Sequence, residues 1–328
     1  MKRLSSPFVL LAAVALLAAC GTGVGPLGSI SPVSPSTEPS LPQGSPDVTP
    51  GTGSPSASPI ASPSAPGSTP SPSTAPTSPP AGTTIVRAYF YLGGDERTAG
   101  LVAVLREIPQ TQAVARAAME ALIAGPRGME LADGAGISNG IPPGTRLLGL
   151  SIEGGTATVD LSGEFEAGGG SMASFVRLGQ VVYTLTQFPT VERVAFRIDG
   201  RAVDVFGSEG IVLDGPQTRA DFGDVLPSIW VDRPAWGAAL ENPARVTGSA
   251  DVFEAQFHMA ILDNDGLPIV EEPVMATCGT GCRGTFDVTL GYDVDEAQWG
   301  ALRTYNLSAR DGSVEMVRDY PVWLTPAR

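Results

Sequence analysis

The chain has 328 residues, 42% of them hydrophobic, and carries 20 Lys and Arg against 34 Asp and Glu, for a net charge of -14. So acidic a chain is repelled by anionic lipid and by nucleic acid, and nucleic-acid binding is disfavoured as a function. Lys2 is the only lysine and His258 the only histidine, which removes Schiff-base and P-loop lysine chemistry and leaves few ligands for a zinc site.

Residues 1–19 begin with Lys2 and Arg3, continue as an apolar run from Phe8 to Ala19 and end in small residues, the layout of a secretory signal too short to span a bilayer. Leu17-Ala18-Ala19-Cys20 resembles the bacterial lipobox. That resemblance implies cleavage before Cys20 and a diacylglycerol on its sulfur, a lipoprotein anchor built of acyl chains such as palmitate; a plain signal peptide with an incidental cysteine is the alternative. Two acyl chains, at about 0.8 kcal/mol per buried methylene, suffice for stable anchoring. Residues 20–83 then turn to Pro, Ser, Thr, Gly and Ala with no aromatic residue, and more than half of the 30 prolines lie there. Such a segment cannot bury a core and reads as a disordered tether, reaching roughly 180 Å if polyproline-like and roughly 45 Å if freely coiled.

The first folded domain is expected over residues 84–207. Ile85 to Leu92 and Leu101 to Ile108 read as strands joined by a polar turn, and Thr111 to Ala124 as a helix ended by Gly125-Pro126. Arg146 to Ile152 and Thr156 to Leu161 form a hairpin around Glu153-Gly154-Gly155. From Ser171, read as an N-cap, the positions Phe175, Leu178, Val181, Val182, Leu185 and Phe188 write one apolar helix face, which Pro189 should stop. Val194, Phe196 and Ile198 then alternate as a strand closed by Asp199-Gly200. The order β-β-α-β-β-α-β predicts an α+β layer domain, a mixed sheet with both helices on one face.

The segments VRAYFYL, LVAVLREI, AMEALIAGPRGMEL, IPPGTRLLGL, GTATVDLSGEF and GQVVYTLTQFPTVERVAFRIDG resemble, in order, the GerMN domain of sporulation and spore-germination proteins. The resemblance implies an α/β layer fold and a cellular setting rather than an activity.

Residues 208–227 read as a connector. From 228 to 325 the pattern becomes strands and turns: Ile229 to Val231, Ala244 to Val246, Phe253 to Leu262, Ile269 to Met275, Gly284 to Leu290, Leu302 to Arg310 and Glu315 to Leu324. Seven short segments predict an all-β sandwich. The stretches RPAWGAALENPARVTGSADVFEAQFHMAILDNDG, GTFDVTLGY and LSARDGS resemble the immunoglobulin-like domain of bacterial spore germination.

With Cys20 lipidated, Cys278 and Cys282 are an even pair in the loop CGTGC, outside the reducing cytosol, and a local disulfide is expected over two free thiols. Other motifs carry bland readings. Gly136-Ile137-Ser138-Asn139-Gly140 fits a nucleophile elbow in letters but lies in a loop, and His258 sits on a strand in the other domain. Asp263-Asn264-Asp265-Gly266 reads as a hairpin turn, since Ile261 occupies the first position a calcium loop needs. Asp160, Glu164 and Glu166 are the acids nearest to a glycosidase pair, with solvated charge the default, and Gly168-Gly169-Gly170 is a flexible loop. Trp230, Trp236 and Trp299 are read as sandwich-core packing, the commoner fate of tryptophan, with stacking on sugars or filling a partner surface as the alternative.

The expectation is a non-enzymatic envelope lipoprotein at the outer face of the cell membrane, with no catalytic residue, cofactor or metal. Its two domains would contact protein or cell-wall partners, in sporulation, germination or a related process. A ligand- or peptidoglycan-binding lipoprotein is the first alternative and a cell-wall hydrolase the second.

Overall fold

The computed structural model describes residues 82–327. The signal segment 1–19, nearly all of the tether 20–83 and Cys20 lie outside the described residues. Strands β1 (Thr83–Leu92) and β2 (Gly100–Pro109) form an antiparallel hairpin in unbroken register from Thr83 opposite Pro109 to Leu92 opposite Gly100. Its turn is set by Asp95, whose carboxylate accepts the Arg97 and Thr98 N–H groups and the Thr98 hydroxyl. Helix α1 (Val114–Ala124) buries Ala118, Met119 and Leu122 and stops at Gly125, which takes a positive φ of 85°. The short β3 (Ile137–Ser138) pairs with the far end of β1.

Strands β4 (Leu147–Glu153) and β5 (Thr156–Leu161) make the second hairpin, with Gly154 and Gly155 both at positive φ as a two-residue turn of this type requires. Helix α2 (Ser171–Leu185) carries the chain over to β6 (Arg193–Ile198), which lies parallel to β5, and Asp199-Gly200 turns it back into β7 (Arg201–Ala202). The helix enters one residue earlier than expected, with Gly170 as cap, and the Ser171 hydroxyl reaches Glu209 instead. It also ends before Phe188, where the Thr186 hydroxyl donates to the Val182 carbonyl.

These strands fall into two sheets, β2-β1-β3 and β4-β5-β6-β7, where one mixed sheet is expected. The reason lies on α2. Beyond β3, the edge of β1 that faces away from β2 is occupied by side chains: Thr184 accepts the Tyr89 N–H, Gln180 donates to the Tyr89 carbonyl, and Gln187 bonds both backbone groups of Arg87. Edge groups already satisfied in this way cannot receive a further strand. Helix α2 packs against both sheets, with Leu178, Val181, Val182 and Leu185 fully buried between them.

After a small hairpin of β8 (Val205–Phe206) and β9 (Ile211–Val212), the stretch Arg219–Val225 makes 3-10 turns that bury Phe222 and Val225. Gly179 of α2 is needed there, since a Cβ on it would lie 2.9 Å from Val225 Cγ2. The remaining strands are β10 (Ile229–Arg233), β11 (Ala244–Ala250), β12 (Gln256–Leu262), β13 (Pro268–Met275), β14 (Gly284–Leu290), β15 (Gln298–Leu307) and β16 (Val314–Leu324). All seven expected segments are strands, although Phe253–Ala255 is a 3-10 turn and β15 starts and ends earlier than its sequence pattern suggests. They stack as a three-stranded sheet, β10-β11-β14, on a four-stranded one, β13-β12-β15-β16, with Phe257 and Phe286 meeting edge to face across the core.

The two domains share a core and a backbone seam. Within the β10–β11 connection, the Trp236 N–H bonds the Ala103 carbonyl of β2, while Gly237 and Leu240 bond the Pro321 and Trp323 carbonyls of β16. One short segment is thus laid against a strand of each domain.

Candidate site at the domain junction

Five side chains from both domains converge where the seam opens to solvent. Tyr89 comes from β1, Tyr183 from α2, Arg219 from the 3-10 turns, and Trp230 and Asp232 from β10. The rings of Tyr183 and Trp230 stand edge to face with centroids 5.4 Å apart, and Tyr89 tilts against Tyr183 at 5.5 Å. The Arg219 guanidinium lies 4.6 Å from the Tyr183 centroid and 5.5 Å from that of Tyr89. It also donates through Nε to the Thr186 hydroxyl and through a terminal nitrogen to the Tyr183 carbonyl. Trp230 Nε1 donates to the Leu101 carbonyl across the domain boundary, and the Tyr89 hydroxyl donates to Asp232 at 2.6 Å.

Burial, and for Tyr89 then the Asp232 carboxylate, pushes both tyrosine hydroxyls up, that of Tyr183 to about 12. Both stay neutral at physiological pH. Above the cluster opens a groove of about 1370 Å³, floored by the outer face of the β10-β11-β14 sheet and walled by Arg219–Val225 and the disulfide loop. Its rim holds Glu96, Asp224, Asp251 and Asp287, with Arg283 between them. Arg283 donates to the Pro227 carbonyl and to Ser249, and burial lowers its pKa while Asp251 opposes that shift. The arrangement offers aromatic surface, fixed hydrogen-bonding groups and acidic charge to a bound chain or ring.

Cys278 and Cys282 are joined by a disulfide, with Cα atoms 5.9 Å apart, and Cys282 lines the groove. Gly279 is required, since a Cβ there would lie 2.2 Å from the Ala255 nitrogen. The other sequence candidates are dispersed. Ser138 lies in β3, a two-residue strand where a loop is expected, and its hydroxyl donates to the Tyr91 carbonyl at 3.4 Å. His258 stacks flat on Tyr305 in the second domain. Asp160 and Glu166 accept the N–H groups of Gly200 and Gly207, and Glu164 sits 3.8 Å from Arg146. Hydrogen bonds from Ser162 and from the backbone hold the Glu164 carboxyl below its ordinary range, the direction opposite to a general acid.

The loop before α2 turns its carbonyls to a cation of the helix itself, since Arg177 donates to Phe165, Ala167 and Gly168. Asp263 closes the β12–β13 hairpin by accepting the Asp265 and Leu267 N–H groups. Trp230 and Trp236 are buried at the domain seam, and Trp299 packs on Trp323. Sequence reasoning finds Trp230 but misses Tyr89, Tyr183, Arg219 and Asp232. The one signal among them is Tyr183, a polar tip on the otherwise apolar run Val181-Val182-Tyr183 of the helix.

A mixed α+β domain is fused to a two-sheet sandwich, and a groove opens at their seam. Residues 87–204 match the family described as sporulation and spore germination, and residues 228–313 match the immunoglobulin-like domain of bacterial spore germination. The chain therefore carries a GerMN-type domain followed by that immunoglobulin-like domain.

Among solved structures, it is similar to the first GerMN domain of the sporulation protein GerM from Bacillus subtilis, at 24% identity over 42% of this chain and 99% of that one, with a TM-score of 0.36. The tandem GerMN domains of the same protein match at 17% identity over 64% of this chain and 61% of theirs, with a TM-score of 0.37. A protein described as a lipoprotein from Clostridium perfringens matches at 21% identity over 45% of this chain and 95% of its own, with a TM-score of 0.29. No curated protein matches the chain.

Proposed function

We propose that this is a lipid-anchored, extracytoplasmic envelope protein that acts without catalysis, its two fused domains presenting the junction groove to a protein or cell-wall partner during sporulation, germination or a related envelope process. The observation that carries the reading is the groove itself, built jointly by both domains and lined by Tyr183, Trp230 and the carboxylates of Asp224, Asp232, Asp251 and Asp287. The family descriptions of both domains support the cellular setting. Support for the anchor is the Leu17-Ala18-Ala19-Cys20 motif at the end of the apolar run.

Cross-linking and affinity capture from native membranes, with Arg219→Ala and Asp224→Lys as groove variants, test the reading. A specific protein recovered with the parent chain and lost with the variants supports it. Saturable binding to purified wall, abolished by the same variants, supports the glycan-binding form instead. Release of soluble fragments from peptidoglycan, abolished by Glu164→Gln, would show a hydrolase. Cys20→Ala should move the protein from the membrane to the soluble fraction, and unchanged detergent partitioning would count against the anchor. Intact mass without reduction should show Cys278 and Cys282 two hydrogens lighter than free thiols.

A further inference from the structure

A strand at a sheet edge exposes unpaired backbone groups, and folded proteins cover, shorten or charge such edges. Nearly every edge here is treated in one of these ways. The β2 edge receives Trp236, the β16 edge receives Gly237–Leu240, and β1 is met by β3 and the α2 side chains. On β14, Thr285 exchanges hydrogen bonds with Thr277, and β10 lies against β2 through Trp230 and Leu101. The β13 edge carries Pro268, Pro273, Glu271 and Glu272, and β7 is two residues long. Among the described residues the exception is β4. It is seven residues long, pairs on one side only, and from Leu147 to Ile152 has neither proline nor charge.

Its side chains are also those of an interior strand. Leu150 and Ile152 lie opposite Val159 and Ala157, both fully buried, and Leu147 opposite Leu161. The irregularity between Leu147 and Gly149 brings Leu148 toward the same face. Even so, Leu148 is 46% and Ile152 38% exposed, and among the described residues no strand lies beyond β4.

We propose that β4 pairs antiparallel with β4 of a second copy, with Leu150 opposite Leu150 across a two-fold axis, joining two four-stranded sheets into one of eight. The sequence of the strand is self-complementary in this register. Leu148 falls opposite Ile152 of the second copy, so three apolar pairs line one face, and Arg146 at one end comes beside Glu153 of the other copy. A two-fold interface needs such a patch that matches itself. The inference goes beyond the proposed function and is independent of it.

The test uses the full chain, in detergent where it carries lipid. Sedimentation should show a dimer, and Leu150→Cys should give a cross-linked dimer under mild oxidation, since directly opposed Cβ atoms lie about 4.5–5.5 Å apart. Ser151→Cys should cross-link several-fold less, its counterpart being a diagonal neighbour beyond disulfide reach. Ile152→Lys, at an exposed position, should give a monomer with unchanged circular dichroism. A monomeric parent chain overturns the proposal, as does equal cross-linking at both cysteine positions or a dimer indifferent to Ile152→Lys. Slow amide exchange along β4 in a monomer would show a different occupant and would also overturn it.

Discussion

The Arg106 guanidinium is 2% exposed and meets Glu130 through two hydrogen bonds of 2.7 and 2.5 Å, with the ring of Phe90 4.9 Å away. Removing one partner strands a buried charge, whereas replacing both with apolar groups does not. Glu130→Ala should therefore cost about 3 kcal/mol by urea denaturation, and the pair Arg106→Met with Glu130→Leu should recover most of it. Tyr183 gives a pH dependence with a definite sign. Its hydroxyl is neutral in the fold up to about 12 and ionises near 10 when unfolded. A raised pKa contributes stability that is fully present below the unfolded value and lost as pH rises through the folded one. Stability should thus fall between pH 10 and 12, and Tyr183→Phe should make that fall shallower in denaturation midpoints measured across the range. The Arg106–Glu130 pair is not legible in the sequence, because the two residues are 24 positions apart and only the fold brings them together.

At the scale of elements, periodicity reads α2 correctly on its apolar side and is silent on its polar one. Leu178, Val181, Val182 and Leu185 follow the three- and four-residue steps of a core face. Gln180, Thr184 and Gln187 form a second stripe that the same steps would assign to solvent, yet Gln180 and Thr184 are fully buried against β1. Hydropathy cannot distinguish a solvated amide from one that closes a sheet edge. Gln180→Leu should leave the Tyr89 carbonyl and the Gly140 N–H without partners, at about 1–3 kcal/mol each for a buried polar group. Thermal melts should show that loss, and Gln180→Glu should be less damaging at low pH, where a protonated carboxyl can still donate. Turns were more legible than edges: Gly154-Gly155, Asp199-Gly200 and Gly125 sit at positive φ where their sequence patterns demand it.

Over the whole molecule, the folds of both halves follow from strand and helix patterns, while their fusion does not. No sequence period marks Trp236–Leu240 as a strip shared between β2 and β16, and the 208–227 stretch gives no sign that Phe222 and Val225 will pack under α2. Adjacent domains move independently by default unless their interface is large and apolar. Here the buried core runs through both, from Leu101 and Tyr89 through Trp230 to Val246 and Phe257. The two halves should consequently unfold together, in one calorimetric transition whose enthalpy equals the van't Hoff value. Trp230→Ala discriminates this from two independent transitions that happen to overlap. It removes ring contacts with Tyr89 and Tyr183 and the hydrogen bond to Leu101, a change of about 3–5 kcal/mol for a buried Trp. If the seam is what makes the molecule cooperative, the variant should melt lower and split into two transitions, with the α+β half losing its helical circular dichroism in one of them. A single transition that moves down unchanged in shape would place the coupling in the backbone strip instead, and Gly237→Pro, which deletes the N–H bonded to Pro321 and cannot adopt the φ of 74° found there, would then be the variant that displaces the strip and divides it.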